Sequence, residues 1–194
     1  EHILCHYGLE RIIIPYYETF SWLLAMLTGM LFAFVGGLVV LGEIDDNVAK
    51  YIMITPTGIC GYLCSRVILP ALISGVVALV CIPFFSLVTI GLGKIIIMVV
   101  TTLLNGIVST LIVVSISSNK VEGMAIGKIS GLFGMLFFVP LIVTGTIRYV
   151  FCLFPMFWIG EWSVYGGGEK LIIAFFEFVI WICIMLWRFY TKMK

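Results

Sequence analysis

The sequence predicts an all-α polytopic integral membrane protein of about five transmembrane helices, with short cytoplasmic and interfacial helices between them. Two observations carry this. Of 194 residues 62% are hydrophobic and only 11% charged, where soluble domains carry about a quarter charged, and the mean hydropathy is +1.23. The apolar residues also fall into five runs, 20–41, 67–90, 95–117, 129–147 and 171–190, each close to the roughly 20 residues that cross a bilayer core. A net charge of +1 with no basic stripe excludes a nucleic-acid partner.

Residues 1–19 mix charges and apolar groups and read as an outer loop segment. The first residue is Glu rather than Met, and no basic n-region precedes an apolar core. A truncated or processed start is therefore expected. His2, Cys5 and His6 share a helical face but lack a fourth ligand, so no metal is expected there. In the first span Gly29, Ala33 and Gly37 recur every four residues. That is a face for close helix contact, or only the high glycine content of membrane helices.

The break at 42–66, GEIDDNVAKYIMITPTGICGYLCSR, gathers three of the ten acidic residues, Glu43, Asp45 and Asp46. NVAKYIMITP after it predicts a short helix with Val48, Tyr51, Ile52 and Thr55 on one face. Asp45 or Asp46 would cap its start, Pro56 would end it and Gly58 would allow the turn. Such a helix is a docking element for a soluble partner or a plain connector. Cys60 and Cys64 have i, i+4 spacing but no further ligands, so zinc is not expected.

The second span holds Pro70 and Pro83, which predict kinks or a broken end, and the turn at 91–94 follows. The third span places Thr101, Asn105 and Ser109 on one face, either to bond a neighbouring helix or to line a substrate path. The second break, SSNKVEGMAIGK, contributes Asn119, Lys120, Glu122 and Lys128, with Gly123, Gly127 and Gly131 aligned as the next helix starts. Pro140 lies within the fourth span. In the loop that follows, Tyr149, Trp158, Trp162 and Tyr165 suit the headgroup layer, on an interfacial or re-entrant helix. The fifth span ends in the basic tail RFYTKMK. It contains one intramembrane carboxylate, Glu177, a functional candidate by default. With no charged companion in the other spans, it reads as packed against a hydroxyl or Arg148.

With the N-terminal segment outside, Lys50, Arg66, Lys120, Lys128, Arg188, Lys192 and Lys194 lie inside, seven basic residues against four (Arg11, Lys94, Arg148, Lys170). The positive-inside rule then places both polar breaks and the C-terminus in the cytoplasm. Cys5 and Cys152 would both lie outside, where a disulfide between them could persist.

The segment GEIDDNVAKYIMITPTGICGYLCSR resembles the stretch after the second membrane helix in ABC transporter permeases of the type 2 exporter family. SNKVEGMAIGKI resembles the second cytoplasmic break of that family, and FPMFWIGEW its aromatic outer loop. The three occur in the family's order over about residues 16–190. The family usually has six membrane helices, so the first is expected to be absent from this chain. The resemblance implies the membrane-spanning subunit of an ATP-driven exporter in a bacterial plasma membrane. It implies pairing with a second permease copy or a related one, and with two cytoplasmic ABC ATPase subunits. ATP and Mg would bind the ATPases, with no cofactor on this chain and no catalytic residue.

By the same resemblance Glu43, Asp45, Asp46, Asn47, Lys50 and Tyr51 form a coupling helix ended by Thr55, Pro56 and Thr57, and Asn119, Lys120, Glu122 and Gly123 form a second contact. The cargo would be hydrophobic or amphipathic: a drug, a peptide or a lipid-like molecule. Rival readings are a secondary transporter working without an ATPase, which would want several intramembrane charges, and an intramembrane enzyme, which would want paired acids or a metal constellation. No GxxxxGK[ST] loop for ATP phosphates occurs in the chain.

Overall fold

Apolar runs of this length must satisfy their own backbone polar groups inside a bilayer, which leaves the α-helix as their solution. The computed structural model describes residues 10–48, 51, 58–86, 90–143 and 145–193, with the side chains of 10–16, 58–60 and 193 outside that description. In chain order the helices are α1 (Glu10–Asp45), α2 (Gly58–Leu63), α3 (Leu69–Phe85), α4 (Leu92–Ile116), α5 (Lys120–Met135), α6 (Val139–Ile142), α7 (Pro155–Tyr165) and α8 (Gly168–Met193). A π-helical turn, Cys64–Ile68, joins α2 to α3, and 3-10 turns cover Leu136–Phe138 and Thr146–Phe151. Among the described residues, five helical stretches are long and apolar enough to cross a membrane: Tyr17–Asp45, Gly61–Phe85, Leu92–Ile116, Lys120–Ile142 and Gly168–Lys192. The protein is an all-α polytopic membrane protein.

Helix α4 is the axis of the bundle and packs against α1, α3, α5 and α8. Its neighbours come close because small residues line the contacts. A Cβ on Gly29 of α1 would sit 3.0 Å from Thr102 Cγ2, and one on Gly37 2.9 Å from Val113 Cγ1. Thr102 and Thr110 Oγ1 also donate across the contact to the carbonyls of Ala25 (3.3 Å) and Ala33 (3.2 Å). The four-residue stripe of α1 is thus a helix-contact face. Thr101 Oγ1 turns to Ile97 O of its own helix instead.

On its other side α1 meets α5. Cβ atoms on Gly123, Gly127 and Gly131 would fall 2.2 Å from Leu41, 2.5 Å from Phe34 and 2.8 Å from Met30. A side chain at these positions would have to push the side chains of Leu41, Phe34 or Met30 aside.

Helix boundaries differ from the sequence expectation in three main places: the second span, expected over 67–90 with Gly58 in a turn, is helical from Gly58 through the π-turn to Phe85, and the other two are the starts of α1 and α5. Helix α1 begins by Glu10, not near residue 20, so part of the expected outer loop is helical. Helix α5 begins at Lys120, not near 129, because Asn119 and Glu122 cap it. Asn119 Oδ1 accepts from Glu122 N (2.8 Å), and Glu122 Oε2 from Ser118 N (2.6 Å). Lys128 lies two turns inside α5, with its side chain exposed. Pro70 opens α3, where a missing N–H costs least.

Between α6 and α8 the chain folds back on itself. Helix α7 is short, yet Pro155, Met156, Phe157, Ile159, Gly160 and Glu161 on it are buried. It packs against α8, α6 and the Leu136–Phe138 turn. A Cβ on Gly160 would lie 2.1 Å from Phe137 O, so backbone meets backbone there.

Candidate functional site

Five helix ends converge at one end of the bundle: the C-terminal ends of α1, α4 and α8, and the N-terminal ends of the α2–α3 span and of α5. Polar side chains join them. Glu43, near the end of α1, receives Arg66 from the π-turn on both carboxylate oxygens, with Nη2 on Oε1 and Nε 3.2 Å from Oε2. Tyr62 Oη donates to the same Oε2 at 2.7 Å. Bidentate arginine contacts of this kind fix geometry as well as charge.

Asp45 acts differently from the expectation. Its Oδ2 accepts the backbone N–H of Lys120 at 2.9 Å. The carboxylate therefore caps the first turn of α5, a helix 75 residues away in sequence, where negative charge at a helix N-terminus is favourable. It cannot simply cap the segment that follows it, because α1 itself runs through Asp45. Asn47 then takes φ 59°, and its N–H bonds to Ile44 O, a left-handed stop that asparagine tolerates well.

The third tie comes from α8. Lys192 Nζ donates to Val114 O at 2.8 Å and to Ser117 O, satisfying carbonyls that the end of α4 leaves free. Past this cluster, Val48 and Tyr51 are helical and exposed, Tyr51 by 71%. Asp46 is exposed too. Lys50, Ile52, Thr55, Pro56 and Thr57 lie outside the described residues. The structure thus brings Glu43, Asp45, Asn119, Lys120 and Glu122 to one place and leaves Asp46 and Tyr51 at its open edge. Gly123 belongs to the α1–α5 contact instead.

The opposite end holds a cluster that the sequence reading missed. Glu161 of α7 is 1% exposed. Arg148 Nε lies 2.9 Å from its Oε1 and Lys170 Nζ 3.5 Å from its Oε2. Arg148 also donates to Tyr165 Oη at 2.6 Å, its guanidinium 4.6 Å from the Tyr165 ring centre. Arg148 is consequently not the partner of Glu177. Glu177 Oε1 instead accepts from Trp158 Nε1 at 3.0 Å, so neither expected partner, hydroxyl or Arg148, is the observed one. The signal for Glu161 was its place as an acid in the aromatic part of a loop bounded by Arg148 and Lys170, well apart from the other acid there, Glu169.

Asn105 sits on α4 in the middle of the bundle, 4% exposed, and its Nδ2 has no hydrogen-bond partner. It lines a small cavity with Ser109, Phe133, Phe154, Met156 and Trp181. Among the described residues no group of His, Cys, Asp and Glu could hold a metal ion. His2, Cys5 and His6 lie outside them, as does the expected disulfide partner of the exposed Cys152.

The family described as fluoroquinolones export permease protein Rv2686c-like matches residues 6–190. The chain belongs to that family. It is an integral membrane protein of an export permease family, in keeping with an ABC exporter permease. No curated protein and no solved structure matches it.

Proposed function

We propose that the chain is the membrane-spanning subunit of an ATP-driven exporter, with the Glu43 end facing the cytoplasm and gripping a separate ATPase. The observation that carries this is the bond from Asp45 to the first N–H of α5. It couples the ends of α1 and α5, so a partner that holds the segment around Tyr51 moves both helices together. The exposed Tyr51 and Val48 supply the apolar face that a groove would take. The basic residues Arg188 and Lys192 lie at the same end, as the positive-inside rule asks of a cytoplasmic face. A second permease copy or a related permease completes the path, and ATP and Mg bind the ATPase. The family description points to a fluoroquinolone as cargo, a planar amphipathic drug of the kind such apolar spans suit.

The test is co-purification of the full permease with its ATPase, together with drug-stimulated ATP hydrolysis. Asp46→Lys combined with Tyr51→Ala leaves the internal ties of Glu43 and Asp45 intact. This double variant should lose both co-purification and stimulation while folding normally. Retention of both would reduce the segment to a connector and remove the ATPase from the reading.

A further inference from the structure

Lys128 is a cation inside a membrane span with no carboxylate to answer it. It lies two turns into α5 with its side chain exposed, and none of the ion pairs among the described residues includes it. The stretch that follows α1, from 49 to 57, adds no acid. Charges at such a depth ordinarily pair or face a polar path. A lysine on a helix leans toward the helix N-terminus, and its stem runs along apolar surface while the ammonium reaches for the interface. For Lys128 that direction is toward Lys120 and the polar joint.

Beside it, the contact of α1 with α5 leaves an open groove of about 410 Å³, a size that small-ligand clefts have. Leu27, Met30, Leu31 and Phe34 of α1 form one wall, and Gly127 and Gly131 of α5 keep the floor low. Apart from Lys128 the groove carries no polar side chain. Phe34 faces Gly127 and Met30 faces Gly131, so the groove starts at the level of Lys128. From there it descends away from the joint, roughly 10 Å along α1 from Phe34 to Leu27 at the rise of a helix.

We propose that this groove holds one anionic phospholipid from the leaflet at the Glu43 end. Its phosphate pairs with Lys128 through a charge-assisted bond, and an acyl chain lies against Phe34, Met30 and Leu27. The match is one of charge and direction: the cation stands at the interfacial end of the groove and the apolar wall runs inward from it. A zwitterionic headgroup offers the same phosphate but brings an ammonium of its own, which repels Lys128. The apolar wall accepts any acyl chain, and the lysine sets the preference for net negative charge. This site lies on the outer side of the α1–α5 contact and needs no ATPase.

The purified full chain in detergent is titrated with dioleoylphosphatidylglycerol and, separately, with dioleoylphosphatidylcholine, and the first lipid bound is counted by native mass spectrometry. The anionic lipid should bind about fivefold more tightly, the scale of one lysine at an anionic surface. Lys128→Gln should bring the two lipids to equal affinity, while Lys128→Arg keeps the preference. Glycerol 3-phosphate, a headgroup without chains, should not compete. Equal binding of the two lipids by the natural chain would overturn the site. A preference that survives in Lys128→Gln would assign it to the other basic residues of that end and overturn the site equally. Competition by glycerol 3-phosphate would mean a phosphate site without a groove, again against the proposal. Should Lys128→Gln not fold, Leu27→Trp combined with Leu31→Trp carries the test, because the indoles fill the groove. Binding of the anionic lipid should then fall severalfold, and undiminished binding would place the lipid elsewhere. A natural chain that runs as a dimer and takes no lipid would make this face an interface between copies and end the proposal.

Discussion

The two ends of the bundle each centre on a glutamate held by an arginine, yet they do opposite things. At the Glu43 end the ties cross long stretches of sequence. Asp45 reaches Lys120 over 75 residues and Lys192 reaches Val114 over 78. Four spans are stapled there through a few hydrogen bonds to helix ends. At the Glu161 end the ties are local, joining Arg148, Tyr165 and Lys170 to Glu161 within one folded-back segment. On the proposed reading the first arrangement passes a displacement from one helix to another, while the second closes one segment on itself as a plug. The ion pairs themselves are alike, Glu43–Arg66 spanning only 23 residues, and what sets the first end apart is the long-range bonds to helix ends that accompany it.

The largest effect should come from breaking the plug. Glu161→Ala leaves two half-buried cations without their carboxylate, and removing one partner of a buried pair costs about 3 kcal/mol. Unfolding of the purified protein by denaturant should show it. If stability barely moves, the cluster is solvated and the contrast between the ends fails. Gly160→Ala puts a methyl against Phe137 O and should cost about 2 kcal/mol, in the range of overpacked sites. Here the loss should appear as proteolysis within 146–165 before the rest of the bundle opens.

At the other end the effect should fall on docking. Tyr51→Ala should cost about 2 kcal/mol of ATPase binding, as an exposed aromatic anchor would, with no change in the stability of the bundle. Smaller still, Asp45→Ala removes a cap from α5 and should cost about 1 kcal/mol of stability. The neighbouring Asp46→Ala should stay within about 0.5 kcal/mol, as exposed substitutions do. Equal losses at Asp45 and Asp46 would mean that the bond to Lys120 contributes nothing.

The spans were legible because a 20-residue apolar run has few alternatives in a membrane. Their ends were less so. The start of α5 reads as loop because Lys128, Gly123 and Gly127 make 119–128 look polar and flexible. The capping pair Asn119 and Glu122 was present in the sequence as the contrary signal. The glycines were read by spacing alone, and only the neighbouring Leu41, Phe34 and Met30 explain them. At the joint, the residue types were visible but not the pairings. Asp45 was expected to cap the segment next to it, because local rules cannot reveal that the nearest free N–H belongs to Lys120. Glu161 was passed over for Glu177, since a carboxylate within an apolar run draws more notice than one in an aromatic loop. Burial reverses their weight.

The measurement that bears most directly on the two ends is their sidedness. In a chain whose six cysteines are replaced by alanine, single cysteines are introduced at Asn47 and at Tyr165, both exposed. A membrane-impermeant thiol reagent is applied to intact cells and to inverted vesicles. The expected result is that Tyr165→Cys labels in cells and Asn47→Cys labels only in inverted vesicles. Labelling of Asn47→Cys from outside intact cells would place the joint away from any cytoplasmic ATPase and contradict the coupling role assigned to it.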